Sequence, residues 1–205
     1  MRVQSNLADR RTRRTATLCN RWLPLLAGLL LFVPAHGQAR DERGAIQVST
    51  AETKHGGTAW FLNAWMNITL SQKAREALEN GVPLVFDFQI QTLEKHTWLW
   101  DRVIEEHREV RKIRYHPLSR AYIVKNANTG DLRGFRRLSE AMRSVGLLLD
   151  VKVLDYSAMD DTAHYAVRLR GGLDIESLPT PIRLLAYVSS AWNIKSDWYQ
   201  WPLAR

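Results

Sequence analysis

Cysteine is absent from the chain after Cys19, so everything beyond that position lacks a thiol. No disulfide, thiolate nucleophile or cysteine-based metal site can form there, and the hydrophobic core alone must stabilise the fold. The chain also lacks an H-E-x-x-H pair, a G-x-S-x-G turn and a glycine-rich phosphate loop. We therefore expect no cofactor and no metal, and we expect a protein that is not an enzyme.

An apolar run long enough to span a bilayer comfortably is also lacking, because spanning takes about 20 apolar residues and the run at 22–35 is shorter. Six arginines and one acid, Asp9, precede this run, and small residues follow it at Ala35, Gly37 and Ala39. This order of segments is typical of a signal peptide. We predict a signal peptide at 1–37 and a single exported, periplasmic domain at 38–205. The alternative is an uncleaved inner-membrane anchor through residues 22–35.

The predicted exported domain has only a small net positive charge. The whole chain has 29 basic and 21 acidic residues; residues 1–37 hold six of the basic and one of the acidic, which leaves 23 and 20. Nucleic-acid binding requires a basic patch on the folded domain itself. The composition therefore argues against a nucleic-acid partner.

Apolar and polar residues alternate along several stretches, with the period of two that indicates a half-buried β-strand. The pattern is clearest at 58–70 and at 84–93, and weaker strand signals lie at 119–125, 147–156, 163–170 and 194–201. The stretch at 103–115 is polar on both faces, which predicts a long exposed or edge strand. Residues 38–44 are polar and predict a loose tail.

Three helices are predicted in the connections between strands. Ser71 is placed to cap the first, the second runs from Asp131 to Gly146, and Thr180 with Pro181 begins the third. No regular alternation of strands and helices occurs, so a parallel sheet is not expected. We predict a mainly β protein with α insertions, an antiparallel β-sandwich of about seven or eight strands with three short helices.

Two segments contain the candidate binding residues. The first, at 115–122, surrounds one predicted turn, and the second is the aromatic and arginine-rich run at 178–203. Aromatic residues with arginine are typical of binding hot spots, although tryptophan at this density also predicts core packing. The candidate binding residues are Tyr115, His116, Ser119, Arg120, Tyr122, Arg183, Tyr187, Trp192, Trp198, Tyr199 and Trp201.

The second predicted helix has a basic outer face. Arg133, Arg136, Arg137 and Arg143 lie on it if the helix covers the whole of 131–146. Such a face suits anionic lipid headgroups or an acidic partner, so peripheral membrane contact is one expectation. A solvated helix face is the plainer interpretation.

The chain resembles the proteobacterial domain-of-unknown-function 4390 family across nearly all of the predicted exported domain. The resemblance rests on three motifs, Tyr115-His116-x-Leu118-Ser119-Arg120-x-Tyr122, Leu178-Pro179-x-Pro181-x-Arg183-Leu184-x-Ala186-Tyr187 and Trp198-Tyr199-x-Trp201-Pro202-Leu203. It implies an exported protein without an established activity. It also implies a periplasmic sensing or protein-contact role, with a membrane sensor histidine kinase or another envelope protein as the partner.

Three functions therefore stand as hypotheses. The leading one is a non-enzymatic periplasmic protein-interaction or sensing-accessory module. The alternative is a β-sandwich that binds a small ligand or a lipid, which predicts an apolar cavity between the sheets. The third is a hydrolase that uses His116 and Ser119, which requires these side chains within hydrogen-bond reach in a cleft.

Overall fold

The computed structural model describes residues 43–96, 98–160 and 162–203, and every structural statement below concerns these residues. The predicted signal peptide at 1–37 and the alternative anchor at 22–35 lie outside them. In chain order the elements are β1 (Ala45–Gly56), β2 (Ala59–Thr69), α1 (Gln72–Glu79), β3 (Leu84–Lys95), β4 (Arg102–His116), β5 (Ala121–Asn126), β6 (Leu132–Phe135), α2 (Leu138–Val145), β7 (Leu147–Asp155), β8 (His164–Leu173), α3 (Thr180–Val188) and β9 (Tyr199–Pro202).

The nine described strands form two antiparallel sheets. The small sheet has the order β1-β2-β7, and the large sheet has the order β6-β5-β4-β3-β8-β9. Single 3₁₀ turns at Tyr156–Ala158, Ile175–Ser177 and Ser190–Trp192 lie in the connections. The predicted mainly β, sandwich-like fold with three helices is therefore confirmed, with nine strands in place of seven or eight.

The core lies between the two sheets, and strand alternation explains how it forms. Leu62 and Met66 of β2 are fully buried, as are Phe86 and Phe88 of β3. A direct hydrogen bond also joins the sheets, because the buried Thr92 hydroxyl of β3 donates to the Val153 carbonyl of β7 at 2.7 Å. Large side chains from both sheets thus fill one continuous core.

Helix α1 has the predicted cap. The Ser71 side chain accepts a hydrogen bond from the Ala74 backbone N–H at 3.2 Å, and Gly81 follows the helix at a φ of 86°. In α3 the predicted start is off by one residue, since Pro179 holds the capping position and Thr180 is already helical. No helix among the described residues is long and apolar enough to cross a membrane.

The prediction of the second helix, at 131–146, was wrong for the first half of that range. Leu132–Phe135 is strand β6, which pairs with β5, and α2 begins only at Leu138. The free edge of β5 provides backbone hydrogen-bond partners for Leu132–Phe135, which favours a strand. Gly134 also lowers the helix propensity of this stretch. Arg133 therefore lies in a strand, and Arg136 and Arg137 precede the helix, so the predicted basic helix face does not form.

Three other sequence predictions also need correction. Strand β4 is not an edge strand, because β3 and β5 pair with it on either side. Strand β1 was missed. Of the predicted tail at 38–44, residues 38–42 lie outside the described residues, and Gly44 is buried rather than loose. The last strand spans only Tyr199–Pro202, since Lys195 makes a single isolated bridge to Gly172 and the chain pairs with β8 again only at Tyr199.

Candidate functional site

The first predicted segment is the hairpin connection between β4 and β5. Tyr115 pairs with Tyr122 and His116 pairs with Ala121, so only four residues separate the strands. Arg120 has a φ of 48°, a left-handed conformation that lets its N–H donate to the Pro117 carbonyl at 3.2 Å. The two tyrosine rings pack with their centroids 4.9 Å apart. Burial raises the pKa of Tyr122, with a smaller contribution from the nearby charge of Glu79.

His116 and Ser119 are within hydrogen-bond reach, as the hydrolase hypothesis requires. The Ser119 Oγ lies 3.1 Å from the His116 Nδ1, and the Ser119 backbone N–H donates to the same nitrogen at 3.4 Å. Among the described residues no carboxylate contacts His116, so the third group that orients a catalytic imidazole is missing from this arrangement. Ser119 is exposed on the turn. These contacts close the turn between β4 and β5.

The second predicted segment divides into parts that face different ways. Trp192 is buried in the core together with Ala191 and Ile194, so it is not a surface residue. Arg183 donates to the Glu176 carbonyl at 2.9 Å and to the Thr180 hydroxyl at 3.2 Å. Nearby, the Tyr187 hydroxyl donates to the Glu176 carboxylate, and this hydrogen bond is the main cause that raises the pKa of Tyr187.

Trp198 lies on the outer face of the large sheet, over two arginines of β8. The guanidinium carbons of Arg168 and Arg170 are each 4.4 Å from the Trp198 ring centroid. Each arginine also donates twice to a glutamine of β3, Arg170 to Gln89 at 2.9 and 2.6 Å and Arg168 to Gln91 at 2.8 and 2.6 Å. The indole therefore covers two guanidinium groups that are each hydrogen-bonded to a glutamine of the sheet.

Tyr199 and Trp201 belong to the opposite face of the large sheet. They pair with Leu169 and Val167, which point into the core, and directly opposed residues in an antiparallel pair share a face. Their rings are 5.7 Å apart, and Trp201 packs against the core while Tyr199 is half exposed. The three late aromatic residues at 198–201 therefore do not form one binding surface.

Helix α3 is the most exposed apolar element of the second segment. Of its nine residues only Ala186 is buried, whereas Leu184 and Leu185 are each 64% exposed and Val188 is 84% exposed. Leu184 and Val188 are four residues apart and Leu185 and Val188 three apart, so their side chains share one helix face. We call this set of three residues the α3 apolar face.

A groove lies beside α3, between the helix and the outer face of the large sheet. It has a volume of about 540 Å³, and its walls include Arg170, Asp174, Tyr187, Trp192 and Lys195. Asp87 also lines it and is paired with Arg108, whose pKa is raised by the hydrogen bond to that carboxylate. The groove thus offers paired charges and one exposed tyrosine next to the α3 apolar face.

The described part of the chain contains no cluster of metal-ligating side chains. No group of three or more histidine, aspartate or glutamate side chains there is arranged to hold a metal ion. Cysteine ligands are absent from these residues by sequence.

Sequence reasoning missed two exposed apolar features. The α3 apolar face was not singled out, although Leu184 lies within one of the quoted motifs. The other is the connection between β3 and β4, where Trp98, Leu99 and Trp100 are all exposed. Three large apolar residues in a row between two strand patterns were the signal that could have found this connection.

Together the two sheets, the turn and the outer-face aromatic layer define a β-sandwich-like protein that presents exposed apolar elements. The chain belongs to the family described as a domain of unknown function, DUF4390, whose model matches residues 43–202. The resemblance noted from the sequence motifs is therefore confirmed. Comparison with curated proteins and with solved structures finds no match to this chain.

Proposed function

We propose that this protein is a non-enzymatic interaction module of the periplasm that contacts an envelope protein through the α3 apolar face. A membrane sensor histidine kinase is the partner class that the sequence resemblance suggests. Family membership supplies no activity, so the proposal depends on the surface of this chain. The α3 apolar face is the observation that carries it.

The α3 apolar face is costly to leave in water. Each exposed leucine or valine side chain forgoes about 1.5–3 kcal/mol relative to full burial. Single exposed apolar residues are ordinary, but a contiguous group on one helix face marks an interaction site. Amphipathic helices commonly bind by placing anchors at i, i+3 and i+4 into an apolar groove of a partner. Leu184, Leu185 and Val188 have this spacing.

The surroundings of α3 resemble the rim of a protein interface. Tyr187 and Arg183 are held in place by Glu176, so their side chains are already ordered before any partner binds. Ordered anchors lower the entropic cost of association. The groove beside α3 adds Lys195 and Asp174 at its walls, which gives an apolar centre with a polar margin.

A small-ligand function is the second candidate, and the groove beside α3 favours it. Its volume of about 540 Å³ falls in the range of ligand pockets, about 300–1,000 Å³. The ligand site would then be the groove beside α3, and not the apolar cavity between the sheets that the sequence analysis predicts. The described core there is filled by Leu62, Met66, Phe86 and Phe88.

Site-specific photocrosslinking in the native envelope tests the proposal. A photoreactive amino acid replaces Leu185 in the full chain, and the matched control replaces Leu132, which is 65% exposed on β6. We expect one membrane-protein adduct from position 185 and none from position 132. The substitutions Leu184→Ser and Val188→Ser should remove the adduct without lowering the midpoint of thermal unfolding.

Two outcomes would contradict the interaction function. The first is the same set of adducts from positions 185 and 132, which would indicate unspecific collisions. The second is no protein adduct from position 185 in a folded chain. If native mass spectrometry then shows a bound small molecule that Tyr187→Ala releases, the groove is the functional site and the second candidate replaces the first.

A further inference from the structure

The connection between β3 and β4 exposes three large apolar side chains in succession. Trp98 is 95% exposed, Leu99 69% and Trp100 89%, so the described elements leave all three side chains largely open to solvent. Aromatic side chains bury about 150–250 Å² each when they are covered. We call these three residues the Trp98–Trp100 tip. From its chemistry and shape we propose that this tip inserts into the interfacial region of a lipid bilayer.

A long and regular stem carries the tip. β3 and β4 pair from Leu84 opposite Ile113 to Glu94 opposite Arg102, the last pair before the connection. At a rise of about 3.4 Å per residue, β4 alone is about 50 Å long. The tip is therefore a convex end of an extended hairpin, with a defined backbone directly beneath it.

The charges at the base of the tip neutralise one another. Lys95 binds Asp101 with 2.6 Å between Nζ and Oδ2, and Arg102 binds Glu94 through its guanidinium. Two cations and two anions thus meet directly below the apolar side chains. Paired charges cost less to bring near a low-dielectric phase than isolated ones. The two ion pairs directly below the tip therefore carry no net charge between them.

The occupant follows from the shape and from the indole chemistry. A partner protein could cover a convex tip of two indoles only with a matching cavity, whereas a bilayer interface accepts such a tip anywhere on its surface. Tryptophan is enriched at the membrane–water interface because its ring is apolar while its N–H can still donate a hydrogen bond. Leu99 between the two indoles adds a side chain that prefers the hydrocarbon region. A lipid surface therefore suits the tip better than a protein groove.

The expected binding is weak and reversible. Three side chains supply limited apolar area, and a single myristoyl chain gives an association constant on the order of 10⁴ M⁻¹. Because the charges at the base are paired, the binding should depend little on anionic lipid. This separates tip insertion from adsorption of a basic patch, which grows with anionic lipid content.

The test places a fluorescent reporter at the tip of the full chain. Cys19→Ser leaves no other thiol, so Leu99→Cys can be labelled with an environment-sensitive dye. The matched control is Leu118→Cys, which is 93% exposed in the turn at the opposite end of β4. Both proteins are mixed with phosphatidylcholine vesicles, with and without phosphatidylglycerol, some of them brominated on the acyl chains.

We expect a blue shift and bromine quenching of the dye at position 99, of similar size in both lipid mixtures, and neither effect at position 118. Trp98→Ser with Trp100→Ser should weaken vesicle binding measured through position 99 by about tenfold or more, which corresponds to about 1.4 kcal/mol. Because all three positions are exposed, circular dichroism and the unfolding midpoint should stay unchanged.

Three results would overturn the proposal. One is an unshifted dye at position 99 at high vesicle concentration. Another is an equal response at positions 99 and 118, which means adsorption without insertion of the tip. The third is a blue shift at position 99 that a purified envelope protein produces and vesicles do not, because the tip would then dock to protein.

Discussion

The Trp198 indole packs against the Arg170 guanidinium, with 4.4 Å between Arg170 Cζ and the ring centroid. The same guanidinium donates two hydrogen bonds to Gln89 across the sheet. Trp198 is thus joined through Arg170 to the central strand β3, although it lies outside any strand itself. This contact fixes the segment that leads into β9.

The first prediction concerns Trp198. Trp198→Leu should lower the free energy of unfolding by about 1–2 kcal/mol, because it removes two cation–π contacts, each worth about 0.5–1 kcal/mol, together with apolar contact area. Urea unfolding at equilibrium measures it. Tyr199→Leu is the control, since Tyr199 faces the other way and its ring packs beside Trp201 rather than over an arginine. Equal losses in the two variants would show that the arginine contacts contribute nothing special.

The second prediction concerns the hydrogen bond between the sheets. Thr92→Val keeps the volume of the side chain but removes the donor to the Val153 carbonyl, which leaves a buried acceptor unsatisfied. We expect a loss of about 1–3 kcal/mol. Thr50→Val on the exposed side of β1 is the control and should change stability by less than about 0.5 kcal/mol. A Thr92→Val protein as stable as the wild type would contradict the structural role of this bond.

The third prediction concerns the close approach of two backbones at Gly146. A Cβ at this position would lie 2.0 Å from the Met66 carbonyl oxygen, and the Gly146 carbonyl already accepts from the Met66 N–H at 2.9 Å. Gly146→Ala should therefore cost about 2–3 kcal/mol, because backbone must move. In contrast, a Cβ at Gly134 meets open space, so Gly134→Ala should be neutral or slightly stabilising. Thermal unfolding of both variants decides the matter.

The fourth prediction concerns alkaline pH. Burial raises the pKa of Tyr122 above its ordinary value of 10.0, so the folded state holds this proton more tightly than the unfolded state does. The stability that the neutral phenol contributes is complete below the unfolded pKa and is lost as the pH rises through the folded one. Tyr122→Phe should therefore lose less stability than the wild type between about pH 9 and pH 11. Parallel pH profiles for the two proteins would disprove it.

Local patterns were sufficient to predict the well-buried strands and the capped helix α1. β2 and β3 alternate strictly, because one face of each lies on the core. β1 escaped prediction since Ile46 is its one fully buried residue, so its strand form depends on pairing with β2. The stretch at Leu132–Phe135 fits either a helix or a strand by spacing, and only the free edge of β5 decides between them.

The candidate site shows the same limit. Composition identified the tryptophans of the last segment as important, but it could not say which face each occupies. A shift of one residue moves a side chain to the other side of a sheet. Trp198 therefore lies on the outer face over Arg170 while Trp201 packs against the core, although the sequence grouped them together. The exposure of the Trp98–Trp100 tip could have been predicted from the local sequence. The exposure of the α3 apolar face could not, because it depends on how the helix packs against the sheet.

The order of the strands also bears on how quickly the chain reaches its native state. The small sheet joins Asn63 to Asp150, 87 residues later, and the large sheet joins Gln89 to Arg170, 81 residues later. Neither sheet is complete before β7 and β8 have been synthesised, because the earlier strands form only the β1–β2 hairpin and the β3–β6 meander. Such pairings at long range along the chain slow folding to milliseconds or seconds. A chain that is still being synthesised therefore cannot complete its core until most of its length has emerged. Until then, factors that recognise unfolded protein can bind it.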